Sequence, residues 1–453
     1  MSRSTTRRSP APSQYPHSSV SPLTRRQLLA GAGGALGAGV LLAGIGGSVA
    51  SALNRDPSRL ITSGRHLATA TGTVTVGSNY SDDVPKNAFQ ASVDAFANPD
   101  IEVSINTIDH NSFQENITNY LQQPDDLMTW FAGYRLRFFA AQGLVGDISD
   151  VWTDLSGFSD GFKNACTGDD GNQYMVPFYN YPWAVHYSKS LFEERGYAAP
   201  ASWDELIALC DTMQADGLTP FSLGNDGKWP AMGTFDILNM RINGYDFHIS
   251  LMAGQEDWTS DAVKAVFTEF ATLLPYHQEG ANGRTWQEAA VALKSHETGL
   301  MFLGTFVSEQ FADSLDDLDF FAFPALNDEF GTDSIDAPID GFMMAAEPEN
   351  ADAAKELLKY LGTPEAEITF LTANPGSVAA NSEADTSAYT ALQTKSAELI
   401  AASANIAQFL DRDTNPEFAS NVMGDALADF ISDPGSIDSI LSDVEDRKKV
   451  IFE

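Results

Sequence analysis

Cysteine is nearly absent from this chain: there are two in 453 residues, Cys166 and Cys210. Two cannot build the disulfide framework that staples small secreted domains. Neither lies near the N-terminus, which excludes a lipid carried on an N-terminal cysteine. Basic residues are scarce as well. From His66 onward 18 Lys and Arg face 61 Asp and Glu, and the whole chain carries a formal charge of -36. Such a surface repels phosphate backbones and anionic membranes, so no nucleic-acid partner is expected. The seven His are scattered, with no pair at zinc-binding spacing, and there is neither a nucleophile elbow nor a phosphate loop. From Asp411, "DRDTNPEFASNV" opens like a calcium loop. It fails where Pro416 stands in place of the required Gly and Val422 in place of the required Glu. No metal and no cofactor is expected.

What is present begins with a reversal of charge. Before His66 there are eight Arg, no Lys and one acid, Asp56. Arg25 and Arg26 precede an uncharged stretch, Gln27 to Ala52, with eight glycines between Gly31 and Gly47 and small residues at Ser48, Val49 and Ala50. A basic region, an apolar run and small residues describe an export signal. The Arg pair after Thr24, followed by Leu28 and Leu29, resembles a twin-arginine signal, which carries folded cargo. A membrane anchor is the other reading, since the run is long enough to span. Either leaves the globular part outside: extracellular or at the cell surface, or periplasmic where an outer membrane exists. Residues 1–53 are assigned to this segment and 54–72 to a polar linker. Cys210 fits a buried helical position; a Cys166–Cys210 bridge is allowed by the location and stays open.

The length exceeds what one hydrophobic core serves, which favours two lobes. "GTVTVGSN", "IEVSINTI" and "DLMTWFA" read as strands; "VPKNAFQASVDAFAN" and "SFQENITNYLQQ" between them read as helices. That alternation predicts a parallel sheet with helices on its faces. Ser202 with Glu205, and Thr285 with Glu288, stand at capping-box spacing before apolar helices. "LDFFAFPAL" and "IDGFMMAAE" read as further strands, and the C-terminal stretch as helices with no clear strand.

Between Tyr174 and Tyr187 six of fourteen residues are aromatic: Tyr174, Phe178, Tyr179, Tyr181, Trp183 and Tyr187. Read as extended chain, Tyr179, Tyr181, Trp183, Val185 and Tyr187 share one face. Pro182 has no donor N–H, so this cannot be a regular central strand; it suits a crossing between lobes. Rings with polar tips suit a surface that is wet when empty and covered when occupied, and a sugar ring asks for such a surface. An aromatic core strand is the competing reading. Asn79 and Tyr80 close the first strand, and Trp130, Phe131 and Tyr134 stand at the end of the third, where open sheets bind ligands. Asn225, Lys228 and Trp229 lie in the Gly-rich "GNDGKWPAMG". Phe306 ends "GLMFLGTF", and Arg412 at a helix entry is a candidate to reach the cleft.

The order "GLVGDISDVW", "VPFYNYPWAVHYSKSLFEERGYAAPASWDEL", "GLTPFSLG", "GLMFLGTF" and "AAKELLKYLGTPEAE" resembles the extracellular solute-binding proteins of carbohydrate ABC transporters. The likeness runs from about Val74 to the C-terminus and is most specific over Pro177–Leu206. It implies an α/β, periplasmic-binding-protein-like fold: two lobes joined by hinge crossings around a ligand cleft. The implied boundaries are 73–181 with 338–376 for the first lobe and 182–337 with 377–453 for the second. It implies ligand contacts at Asn180, Tyr181, Trp183, Trp229, Phe306, Asp340 and Gly341, and at Trp130 or Phe131, with Trp130 retained. It implies a monomeric, non-catalytic receptor that closes on a neutral mono- or oligosaccharide and delivers it to permease subunits. Phe306 replaces a Trp frequent in the family. A secreted carbohydrate-active enzyme and a receptor for another polar small molecule are the alternatives.

Overall fold

The computed structural model describes residues 70–452. The export or anchor segment and most of the 54–72 linker lie outside the described residues. Among these residues twelve strands form in chain order. The first four are β1 (Gly72–Ser78), β2 (Ile101–Thr107), β3 (Leu127–Phe131) and β4 (Met175–Asn180). They are followed by β5 (Trp183–Ser188), β6 (Thr219–Phe221), β7 (Thr298–Gly304) and β8 (Leu318–Phe321). The last four are β9 (Ser334–Asp336), β10 (Ile339–Met344), β11 (Val378–Ala379) and β12 (Asn405–Ala407).

One sheet runs β11-β4-β10-β3-β1-β2, and a second runs β6-β7-β5-β8. As the alternation predicts, β2, β1 and β3 are parallel. The sheet is nevertheless mixed: β10 returns antiparallel between β3 and β4. That pairing joins segments far apart in the chain, and no local period encodes it. Val74 and Val76 of β1 are fully buried, as β-branched side chains on a covered sheet should be. The helix Ala351–Leu361 shows the matching logic for a covering layer. Asn350 caps it, and Ala354, Leu357, Leu358 and Leu361 bury one stripe.

The aromatic stretch divides as Pro182 requires. β4 ends at Asn180 in the first sheet and β5 starts at Trp183 in the second, so Tyr181 and Pro182 are the crossing. The single alternating face therefore splits. Tyr179, Tyr181 and Trp183 turn to one cavity, whereas Val185 is buried in the core and Tyr187 packs on Phe192 at 4.1 Å between ring centroids. The return passes through Ala337 and Pro338 between β9 and β10.

Four expectations need correction. β1 starts at Gly72, inside the stretch assigned to linker, and β11 at Val378–Ala379 pairs with β4 of the first sheet although 377–453 was assigned to the second lobe. The C-terminal stretch does hold a strand, β12, parallel to β9 and too short to leave a periodic signal. Ser202 caps its helix, but Glu205 reaches back to the N–H of Ala201, not that of Ser202; the reciprocal box forms at Thr285 and Glu288. Cys166 and Cys210 are buried free thiols, which settles the open bridge.

Candidate functional site

At the two crossings residues of both sheets line a half-open cavity of about 90 Å³. Its walls are mostly rings. Trp183 stacks on Phe409 at 4.8 Å and 20°, and Trp229 stands edge-on to Trp183 at 6.2 Å. Trp286, at the start of its capped helix, meets Phe306 at 5.2 Å in a T-shaped contact, and Phe306 meets Tyr181 likewise at 5.3 Å. Phe409 reaches this place by strain: its φ is 88°, a left-handed region that a side-chain-bearing residue seldom visits. The N–H of the next residue, Leu410, is held by Asp236 Oδ2 at 2.7 Å.

The polar part of the wall centres on Arg412. Its Nη1 donates to Asp340, its Nη2 donates to the Tyr181 hydroxyl at 3.0 Å, and its plane lies 3.8 Å over the Phe131 ring. Burial disfavours the Arg412 charge, but Asp340, Tyr181 and Asp411 outweigh it and hold the proton more firmly than usual. Burial pushes the Asp340 carboxyl up from its ordinary range while Arg412 pulls the other way. Asp411 also contacts Arg135 Nη1 at 3.3 Å. The one cation lining the cavity is thus already matched by carboxylates. Across the cavity, burial and then the Asp82 charge push Glu309 well above the carboxylate range, and burial also raises Asp82, whose oxygens accept from Gln287 Nε2.

Five buried wall atoms, Tyr80 Oη, Asp411 Oδ1, Arg412 Nε, Trp183 Nε1 and Asn374 Oδ1, find no hydrogen-bond partner among the described residues, and the last two are a neutral donor and a neutral acceptor. A donor and an acceptor left bare in a buried wall are costly unless a solute satisfies them. His110 lies in the same wall with its Nδ1 3.3 Å from Asn79 Nδ2. Burial, with Arg412 adding to it, lowers its pKa to about 4. His186 and His248 are lowered to about 3 and His277 to about 4 by burial. These imidazoles are neutral at pH 7. Because the unfolded chain binds their protons first, the stability each contributes is complete above the ordinary histidine range, about 6.5, and is lost as pH falls towards 4. In proton NMR these four rings should keep neutral-form shifts from pH 8 to pH 5. Titration of any of them near pH 6.5 would contradict the burial described.

Of the residues singled out in the sequence, Asn79, Tyr80, Tyr181, Trp183, Trp229, Phe306, Asp340 and Arg412 line this cavity. Five do not. Trp130 points to the opposite face of β3, packed against Phe113, Phe139 and the Arg135 guanidinium; it is Phe131 that turns towards His110 and Arg412. Successive strand residues face opposite ways, so a one-residue ambiguity in register decides the matter. Tyr134 opens a helix and stacks on Phe138. Asn180 is buried at the end of β4, where its backbone pairs with Val378 and Ile339. Asn225 holds its own loop, accepting from the Ala231 N–H and donating to Asn282. Gly341 lies inside β10, where a Cβ would stand 2.1 Å from the Val176 carbonyl.

Sequence reasoning passed over other wall residues. Tyr179 carried a signal, lying in the aromatic run, and so did Trp286 in its capping-box helix; His110, Glu309, Asn374 and Phe409 carried none. Fold and site together have the form of a binding protein: two sheets joined by crossings around a small, largely aromatic cavity.

The chain belongs to the bacterial extracellular solute-binding proteins, a family whose profile matches residues 82–368. It is similar to the bacterial solute receptor AcbH, at 48% identity and a TM-score of 0.83 over 84% of this chain and 100% of that one. That receptor has an exclusive substrate preference for β-D-galactopyranose. An uncharacterized ABC transporter extracellular-binding protein of Pyrococcus horikoshii is 26% identical over 332 residues, 68% of this chain and 71% of the relative. A probable sugar-binding periplasmic protein of Brucella suis is 26% identical over 40% of this chain and 43% of its own length.

Proposed function

We propose that this protein captures a single neutral pyranose by closure of its two lobes and delivers it to the permease subunits of an ABC transporter. The observation that carries the reading is the cavity wall. Flat rings cover C–H faces, Trp183 Nε1 and Asn374 Oδ1 await hydroxyl partners, and the Arg412 charge is matched by Asp340 and Asp411. A site so balanced gives an anionic solute no free cation to pair with. The small size of the cavity, about 90 Å³, favours one sugar ring over two. The 48% identity to a receptor for β-D-galactopyranose makes D-galactose the first sugar to try.

The first lobe comprises 72–181, 338–376 and the β11 edge; the second comprises 182–337 and 380–453. The 1–53 segment directs export, as a cleaved signal or retained anchor, and the receptor acts outside the cell. It is a monomer: among the described residues only Val291 and Val450 are large exposed hydrophobics, too few for an obligate apolar interface. It is not an enzyme. Tryptophan fluorescence during titration with D-galactose and other neutral hexoses tests the reading, because Trp183, Trp229 and Trp286 all line the cavity. A saturable change supports it; a flat signal together with unchanged thermal stability for every hexose would count against it.

A further inference from the structure

We infer that the hydrogen bond between Trp229 and Asn111 is a latch that restricts the site to a monosaccharide by closing it off from a larger groove. The inference rests on the pyranose reading above and names what sets its upper size. Beside the cavity lies a groove of about 660 Å³. Three residues, Gln114, Trp229 and Asp411, border both spaces and so form the partition between them.

Two of the three are fixed. Gln114 Oε1 accepts from Arg135 Nη1 at 2.8 Å, and the same nitrogen lies 3.3 Å from Asp411 Oδ2, with Arg135 only 2% exposed. Gln114 Nε2 is also 2.7 Å from His110 Nε2. Moving either residue would disturb a buried charged network, which is expensive. Trp229 is held differently. It is half-buried and follows Lys228, whose φ of 63° places it in the left-handed region, in a turn open to solvent. Its indole Nε1 donates to Asn111 Oδ1 at 3.2 Å, in the first turn of the helix that starts at His110. The approach is close: a Cβ on Gly227 would lie 3.0 Å from Trp229 Nε1 and 3.2 Å from Asn111 Nδ2. Asn111 itself lines the groove and not the cavity. On the cavity side the Trp229 ring packs against Trp183, Phe306 and Phe409, whereas towards the groove one neutral hydrogen bond, to Asn111, holds it, and beyond it the space suffices for a second ring.

The test compares the native protein with Asn111→Ala and Trp229→Phe, which remove the bond from opposite sides. Calorimetric titrations use D-galactose, lactose, melibiose and β-1,4-galactobiose, with circular dichroism and urea unfolding as checks on the fold. Native protein should bind the monosaccharide and give no saturable heat with the disaccharides. Asn111→Ala should keep monosaccharide affinity within about fivefold, the worth of one neutral hydrogen bond, and gain saturable disaccharide binding. Trp229→Phe should gain it too, whatever happens to the monosaccharide. Disaccharides still refused by both folded variants, or bound already by the native protein, would overturn the latch. Failure of the native protein to bind any monosaccharide would instead sink the pyranose reading itself.

Discussion

Arg412→Ala should destabilise the fold by about 3–5 kcal/mol, the usual result of removing one partner from a buried charge pair, and weaken sugar binding by roughly ten- to a hundredfold. The reason is what remains. Asp340 and Asp411 are both nearly sealed, and Arg412 is the cation they share at this point; Tyr181 loses the donor to its hydroxyl. Arg135 compensates Asp411 in part, so Asp340 suffers most. The dependence on pH has a definite sign. Burial already raises Asp340, and without Arg412 its carboxyl rises further, so the folded variant binds a proton more readily than the unfolded chain. The deficit of the variant should shrink as pH falls from 8 to 5. Adding Asp340→Asn should restore part of the stability and make what deficit remains insensitive to pH. Urea unfolding of the three proteins at both pH values checks this; a deficit equal at both pH values would remove the uncompensated charge as its cause.

Trp183→Ala should cost about 3–5 kcal/mol of stability and a further 1–3 kcal/mol of ligand affinity, about the loss of an aromatic anchor. Trp183 is both wall and core. One face stacks on Phe409, its edge meets Phe302, and its six-membered ring presses on the helix Pro230–Asn243. At Gly233 of that helix an added Cβ would lie 2.3 Å from Trp183 Cζ3. Gly233→Ala therefore reverses the usual sign. In an open helix the change stabilises by about 1 kcal/mol; here overpacking should outweigh that gain and destabilise by about 1–3 kcal/mol. It should also weaken the sugar, because the platform shifts. Urea midpoints and sugar titration of both variants check the pair of claims. Stabilisation by Gly233→Ala would mean the ring yields without cost and is no fixed platform.

The residues differ in how openly they declared themselves. β1, β2, β3 and the helices between them followed from local periods, because each buries one face of a regular element. The antiparallel entry of β10 between β3 and β4 depends on partners two hundred and more positions apart in sequence for β3, and nothing local specifies it. Tyr181, Trp183 and Trp229 were legible because aromatics crowd where a Pro interrupts a strand or a Gly-rich loop begins. Trp130 was misplaced by parity alone. Phe409 was invisible, since a positive φ at a residue other than Gly is imposed by tertiary contacts, here the Asp236 hold on Leu410. The Arg412 pairing was half legible: Arg412 and Asp340 could each be named, but that they meet depends on the position of β10, which the sequence pattern left open.

The most direct measurement is a calorimetric titration of the full-length protein with D-galactose and a panel of neutral hexoses, followed by chromatography of the recovered sugar. The account predicts one site per chain for at least one hexose, with the sugar returned unchanged. Heat that never saturates for any hexose, or a sugar recovered as a different compound, would contradict it.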